Sequence, residues 1–379
     1  MPLRPRVAVI YHMFPHYRAP VMRALAASSR YRYEFHGSHD AMDGILPFAG
    51  DETAPVHHLG FKVSGAGGVF TGLWKPVLAR DVDALILIGN PNFLQTWLAA
   101  ALGRMTGKRV LFWTHGWLRR ERGFKGFLRK LYYGLSDGVL VYADRARDLA
   151  VSGGFPGEKV FPIYNSLDWD ASQALYEDLS RRGPEELRAS VAYPASTPVI
   201  ICTARLTPLC RFDLLLDAAA ILKARGRAVH IALVGDGPSR APLEEQAERL
   251  GLDVQFTGAI YDEQALSRLL YAADVTVSPG KIGLTAMHSL SYGTPVVTHG
   301  DLDNQMPEVE AVTEAVTGAF FQEGDAEDLA RAIGDVLDWP TPRSAVRDAC
   351  RDVIRNRYTP DVQVRLIDAA LDAVFGGPR

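Results

Sequence analysis

Arg205 and Arg211, six positions apart, are the first side chains in this sequence with an evident chemical use. Arg205 follows the apolar run Val199-Ile200-Ile201-Cys202-Thr203, and Arg211 precedes a helical pattern over 212–225. A guanidinium leaving the carboxyl end of a strand and another at a helix N-terminus suit a diphosphate. Each offers a bidentate fork, and the helix end adds unpaired N–H groups and partial positive charge. Taken alone, the same two residues also fit an ordinary cationic surface. Two glycine turns follow at strand-to-helix junctions. Leu233-Val234-Gly235-Asp236-Gly237-Pro238 lacks the third glycine of a dinucleotide fingerprint and reads equally well as a tight turn. In Ser278-Pro279-Gly280-Lys281-Ile282-Gly283-Leu284, the glycines let backbone approach a ligand at the start of a helix that carries His288 about one turn in. Lys281 there is either a phosphate contact or a solvated lysine.

These residues need strands to present them. Short β-rich runs at 6–11, 32–36, 84–88, 109–114, 138–142 and 159–164 alternate with helical patterns. After a polar stretch ending at Pro198 the alternation restarts, with strands expected at 198–203, 229–234, 253–257, 274–278, 295–298 and 318–321. Helices are expected between them at 212–225, 240–250, 263–271, 284–292 and 325–337. Such alternation predicts an α/β fold of two doubly wound parallel-sheet (Rossmann-like) domains, here 1–185 and 190–357, facing a central cleft. In such sheets ligands sit beyond the carboxyl ends of the strands. The segment Asp361–Phe375 has the apolar spacing of an amphipathic helix that needs a surface to bury against.

Composition excludes several classes. With 379 residues, 47% hydrophobic, 22% charged and a net charge of −3, the chain is neither disordered nor a polyelectrolyte partner for nucleic acid. Cys202, Cys210 and Cys350 form no disulfide framework and no zinc spacing, so a reducing, cytoplasmic setting is expected. Cys202 reads as a small buried hydrophobe. The apolar run Val7–Tyr11 is too short for a signal peptide, and Gly89-Asn90-Pro91-Asn92 breaks the uncharged stretch Ala84–Gly103, so no membrane span is expected.

The order of motifs is similar to that of the retaining glycosyltransferases of family four, which have the two-domain GT-B architecture. The resemblance rests on Arg205…Arg211, Gly235-Asp236-Gly237-Pro238, Phe256-Thr257-Gly258, Tyr271-Ala272-Ala273-Asp274-Val275, Ser278-Pro279, Gly283-Leu284, Gly293-Thr294-Pro295-Val296-Val297 and Thr317-Gly318. Weaker matches are Thr114-His115-Gly116 and Ile163-Tyr164-Asn165-Ser166-Leu167-Asp168. The resemblance implies transfer of a sugar from a nucleotide-diphosphate donor to an acceptor hydroxyl with retention, without metal or cofactor. The first domain would take the acceptor, the second the nucleotide sugar, and a last helix over 358–379 would pack back on the first.

On that resemblance, Arg205 matches the family arginine of the diphosphate site, and Arg211 stands where the family has lysine. His115 matches a histidine near the donor sugar. Gly235, Gly280, Lys281, Ile282, Gly283, Leu284, His288 and Glu308 are the expected donor-binding positions, while His16, Arg18 and Asn90 lie on the acceptor or diphosphate side. The sequence departs from the family at two glutamates eight positions apart, for the donor sugar and the ribose, where it has Gly280 and His288. Gly280 keeps only its backbone, and His288 keeps hydrogen-bonding capacity toward a ribose diol. That departure sustains a second reading, a catalytically silent nucleotide-sugar-binding or scaffold protein; a nucleotide-sugar epimerase on the same architecture is a third. The triplets Asp168-Trp169-Asp170 and Asp301-Leu302-Asp303 resemble a metal motif of another glycosyltransferase fold, and no required metal is expected from them.

Between Trp117 and Tyr133, Arg119, Arg120, Arg122, Lys125, Arg129 and Lys130 face only Glu121, a net charge of +5. Phe124, Phe127, Leu128 and Leu131 interleave at helical spacing. Such a helix fits an anionic membrane surface, on the inner face of the membrane, or packs its apolar side on the sheet. The resemblance adds polysaccharide or glycolipid assembly as a setting, with a lipid-linked or saccharide acceptor.

Overall fold

A computed structural model describes residues 4–42, 44–64, 67–121 and 123–377. Arg122 of the basic segment and the last two residues of the expected C-terminal helix lie outside them. The chain divides into two units, Met1–Asp168 with Tyr358–Arg379, and Trp169–Arg357.

The first unit contains β1 (Arg6–Met13), β2 (Arg32–Ser38), β3 (Val56–His58), β4 (Gly60–Ser64), β5 (Gly67–Thr71), β6 (Ala84–Ile88), β7 (Arg109–Trp113), β8 (Gly138–Val141) and β9 (Val160–Pro162). Seven of these form one sheet in the order β3-β2-β1-β6-β7-β8-β9, and every pairing in it is parallel. The chain starts at the centre, winds outward through β2 and β3, then returns beside β1 with β6. Because helices cover both faces, the central strands are buried at every position and read as unbroken apolar runs, Ala-Leu-Ile-Leu-Ile in β6 and Val-Leu-Phe-Trp after Arg109 in β7. The helix Pro360–Gly376 belongs to this unit and buries Ile367, Ala370, Leu371 and Val374 in its core. Thr359 caps its start by accepting from the Val362 amide, and Asp368 accepts hydroxyls from Ser28 and Tyr33.

The second unit holds β10 (Val199–Thr203), β11 (His230–Val234), β12 (Asp253–Gly258), β13 (Val275–Ser278), β14 (Val296–His299) and β15 (Gly318–Phe321). Their order is β12-β11-β10-β13-β14-β15, again with every pairing parallel. In this sheet the direction of winding reverses between β10 and β13.

The structure differs from expectation in two places. The strands β3, β4 and β5 have no counterpart in the sequence reading. β4 and β5 form an antiparallel hairpin in which Gly60, Gly67 and Gly68 dilute any β-propensity. Gly68 is needed there because a Cβ would lie 2.3 Å from the Phe61 ring. The units also divide at Asp168 and Trp169 rather than near 185–190. The helices Trp169–Ser180 and Pro184–Ser190 contribute Leu179 and Leu187 to a core with Leu269, Leu270 and Tyr292 of the second unit, which a boundary drawn from composition alone misses.

Candidate functional site

In the second unit, the glycines that the sequence singles out lie past the carboxyl ends of β11 and β13, where Gly235, Gly237 and Gly280 let the chain touch the stretch that follows β10. Gly235 has φ +151°, and a Cβ on it would stand 1.9 Å from the Ala204 carbonyl oxygen. Gly237 has φ +159°, with the Leu206 oxygen 2.4 Å from a Cβ position. The close approach lets the Leu206 amide donate to Asp236 O (3.0 Å) and the Ser239 amide to Leu206 O (3.0 Å), so the stretch carrying Arg205 is fixed against the Gly-Asp-Gly turn. Thr285 Oγ1 donates to Thr203 O (2.8 Å) and ties the helix Leu284–Ser291 to the end of β10. All of this sits at the switch point of the sheet, the usual ligand position in open α/β folds.

Arg205 is exposed at this edge, with no ion pair or side-chain hydrogen bond among the described residues. Arg211 is the N-cap of the helix Phe212–Ala224 in a left-handed conformation, φ 53° and ψ 38°, a strained state for a non-glycine residue. Its guanidinium is partly engaged: Nε lies 3.2 Å from Asp213 Oδ1, both side chains being about half exposed. Lys281 is exposed and makes no ion pair among the described residues. The helix Leu284–Ser291 has no acidic residue in its first turn and no side-chain cap, and the amides of Gly283 and Leu284 carry no hydrogen bond among the described residues. A cationic edge with free amides at a helix start is suited to a diphosphate.

At two expected donor-binding positions the backbone amide is already engaged. The Gly280 amide is not available, because it donates to Cys210 O (3.1 Å), and a Cβ there would lie 2.1 Å from Leu209 O. The Pro208–Cys210 turn thus occupies the space that any side chain at 280 would need. The Ile282 amide is likewise committed, to Gln305 Oε1 (2.9 Å), and Gln305 also donates to Thr298 Oγ1 and His299 O. Glu308 is buried, 4% exposed, in the turn Pro307–Ala311. Asp301 accepts from the Asp303 amide and caps the turn Leu302–Asn304, a local role for one triplet.

His288 faces a carboxylate that the sequence did not announce. Its Nδ1 lies 3.7 Å from Glu263 Oε1, which also accepts the Tyr292 hydroxyl (2.6 Å). Burial acts to raise the Glu263 pKa, but His288 and Tyr292 outweigh it and leave the carboxyl below its ordinary value. Glu263, like Gln305, is remote from its partner in sequence. Its one sequence-level signal is an acid in the first turn of a helix, which reads as dipole compensation.

In the first unit, residues past the strand ends gather similarly. Arg18 ends the turn His16–Arg18 after β1 and is 8% exposed. Its guanidinium lies 4.9 Å from the Tyr11 ring centre, 5.1 Å from Trp113 and 5.6 Å from Tyr142. His115, past β7, meets Tyr142 edge-on at 5.0 Å. His115 is exposed, and surrounding protein followed by the Arg18 charge lowers its pKa, so it is neutral at pH 7. His16 is exposed against Tyr17. Asn90 accepts from the Asn92 amide (3.1 Å) and so shapes its own turn. Ser166 of the Asn-Ser-Leu-Asp match donates to Gln363 (2.7 Å), anchoring the C-terminal helix.

The basic segment forms the helix Gly123–Gly134, and its buried residues are Gly126, Tyr132 and Tyr133. The residues whose spacing suggested packing point outward: Phe124 is 77% exposed, Phe127 62% and Leu131 51%. Arg129 is occupied by Glu121 (2.7 Å) and Gly116 O, whereas Arg119, Arg120, Lys125 and Lys130 are exposed without an ion pair among the described residues. The neighbouring helix Leu94–Met105, joined by the Thr96–Tyr132 hydroxyl contact (2.7 Å), adds exposed Leu94, Leu98 and Met105. No helix among the described residues is long and apolar enough to cross a membrane.

Comparison with known proteins bears on the fold. Residues 184–355 match the family Glycosyl transferases group 1. A GDP-mannose-dependent alpha-(1-6)-phosphatidylinositol dimannoside mannosyltransferase of Mycobacterium tuberculosis is 33% identical over 165 residues, 42% of this chain and 40% of that protein. A D-inositol 3-phosphate glycosyltransferase of Saccharomonospora viridis is 30% identical over 261 residues, 63% of this chain and 58% of its own length. The chain therefore spans about two fifths to three fifths of the length of these curated relatives. Among solved structures, Anabaena Alr3699/HepE in complex with UDP aligns with a TM-score of 0.71 at 17% identity, covering 98% of this chain and 100% of that one. Sucrose-phosphate synthase of Thermosynechococcus elongatus aligns at 0.70 and 18% identity, covering 98% and 99%. The chain has the GT-B glycosyltransferase fold, and residues 184–355 of its second unit carry the Glycosyl transferases group 1 match.

Proposed function

We propose that this protein is a retaining, metal-independent glycosyltransferase that binds a nucleotide-diphosphate sugar on its second unit and an acceptor hydroxyl on its first. The observation that carries the reading is the exposed Arg205, without an ion pair among the described residues, on a stretch fixed to the Gly235–Gly237 turn, together with the Gly283 and Leu284 amides that carry no hydrogen bond among those residues. Arg205 and Arg211 would hold the departing diphosphate, and Lys281 follows Gly280, whose amide donates to Cys210 O next to Arg211. Charge on that leaving group grows in the transition state, so these residues act mainly on turnover. His288, oriented by Glu263, would meet the ribose, and neutral His115 the donor sugar. The curated and structural relatives name nucleotide-linked sugars, and this supports the donor class without fixing base or sugar.

The test is Arg205→Ala. Turnover should fall about 10²–10³-fold, the range for losing one preorganised donor to a developing anion, with unfolding temperature unchanged. Near-normal turnover would refute the diphosphate role. One observation favours the silent-binding reading: the turn at 208–210 excludes any side chain at position 280, so the family's carboxylate cannot be present in this conformation. Nucleotide binding with neither donor hydrolysis nor transfer would establish that reading.

We also infer a peripheral membrane position. The exposed Phe124, Phe127 and Leu131 with the unpaired cations around them support an anionic lipid surface as partner and a lipid-linked acceptor.

A further inference from the structure

Four arginines are buried among the described residues: Arg18, Arg109, Arg347 and Arg351. Three of them are served by strong acceptors. Arg109 donates to Gly377 O, Arg347 to Tyr292 O and Tyr271 O, and Arg351 to Ser291 O and the Gln173 carboxamide. Arg18 is the exception. Among the described residues Nη2 donates to the Tyr142 hydroxyl and the Tyr11 phenol also faces the group, while Nε and Nη1 have no hydrogen-bond acceptor. No carboxylate pairs with it among the described residues. A buried cation faced by a neutral phenol oxygen and three ring faces is incompletely compensated, because desolvating a charge without an ionic partner is unfavourable.

The setting adds to that charge. Arg18 is the N-cap of the helix Ala19–Ala26, which has no acidic residue in its first turn and no side-chain cap, so the positive end of the helix dipole points the same way. Tyr11 and Trp113 come from the carboxyl-terminal parts of β1 and β7 and Tyr142 directly follows β8, which places the cage at the carboxyl ends of the central strands. His115, neutral beside it, can donate a hydrogen bond or accept one.

We propose that the first unit contains an oxyanion site at Arg18, in which a phosphate or carboxylate oxygen displaces the Tyr142 hydroxyl from the guanidinium and His115 supplies a further hydrogen bond. The site stands independently of transferase activity. Its assignment to an anionic group on the acceptor rests on the reading given above, under which the second unit already provides for the diphosphate.

The probe is inorganic phosphate, titrated into the full chain and followed through the His115 imidazole by NMR. Phosphate should saturate and, by offsetting the Arg18 charge, raise the His115 pKa. Arg18→Gln should weaken phosphate about tenfold or more, as expected for a lost charge-assisted hydrogen bond. Tyr142→Phe, which removes the competing oxygen, should tighten it. This second variant also decides the matter if Arg18→Gln does not fold. Added nucleoside diphosphate separates the sources: phosphate bound alongside it belongs to a second substrate, whereas competition lost in Arg18→Gln but not in Arg205→Ala assigns the site to the donor. Phosphate that does not saturate, or binds equally to the wild type and both variants, overturns the proposal. Failure of sugar transfer with phosphate still bound would count against the transferase reading alone.

Discussion

The most distinctive local prediction concerns Gly280. In Gly280→Ala the new methyl carbon would stand 2.1 Å from Leu209 O and 3.1 Å from the Cys210 carbonyl carbon. Both are backbone atoms, so rotating a side chain cannot relieve the clash, and the Pro208–Cys210 turn must move. Overpacking of this kind costs about 1–3 kcal/mol. The same movement breaks the bond from the Gly280 amide to Cys210 O, and an unsatisfied buried amide adds about 1–3 kcal/mol. A total of about 2–6 kcal/mol corresponds to a fall in Tm of about 4–24 °C for a unit of this size. Because Arg211 follows Cys210 directly, nucleotide affinity should fall as well. Gly334→Ala is the control: it lies inside the helix Ala326–Leu337 of the same unit, and its Cβ position meets only Arg227 Nη1 at 3.6 Å, an ordinary contact. Differential scanning calorimetry of the three proteins checks the prediction. If Gly280→Ala melts with the wild type, the turn is not seated on Gly280, and the inference that no side chain fits there is wrong.

Other outcomes follow from the same geometry. Glu263 titrates below its ordinary value in the fold, so it contributes stability that is present above about pH 4.3 and is lost as pH falls through its lowered pKa. Glu263→Gln should flatten the acid limb of Tm against pH, and an unchanged limb would refute the His288–Glu263 pairing. Replacing Lys125 and Lys130 with glutamine should weaken binding to anionic vesicles by about 2 kcal/mol, roughly thirtyfold, at about 1 kcal/mol per cation. Unchanged sedimentation with vesicles would refute the membrane position. Ser166→Ala removes a buried bond to Gln363 and should lower Tm by a few degrees, at about 1–3 kcal/mol, while nucleotide affinity stays the same; altered affinity would show that the Asn-Ser-Leu-Asp stretch does more than anchor the last helix.

The parallel sheets were legible because strands buried on both faces are written as short apolar runs between helical periods, and such runs survive in β6, β7, β10 and β11. The hairpin Gly60–Thr71 was not, since its glycines serve the packing of Phe61 and Phe93 rather than any strand pattern. In the candidate site, the backbone features were readable: glycines at strand-to-helix junctions mark close approach, and Gly235 and Gly237 do bring chain segments together. Partnerships across distant segments were not readable. Glu263 with His288, Gln305 with Ile282 and the 208–210 turn over Gly280 are joined only by folding. The basic helix shows the same limit, because an amphipathic spacing says which residues share a face but not whether that face is covered.

The central claim, that a nucleoside diphosphate binds at the switch point of the second sheet through Arg205, is tested most directly by isothermal titration. Uridine, guanosine and thymidine diphosphates would each be titrated into wild-type protein, Arg205→Ala and Arg18→Gln. The account predicts that at least one nucleotide binds the wild type, binds Arg205→Ala about tenfold to a hundredfold more weakly for the loss of one charge-assisted contact, and binds Arg18→Gln as it does the wild type. Equal affinity for wild type and Arg205→Ala, or binding of none of the three, would contradict it.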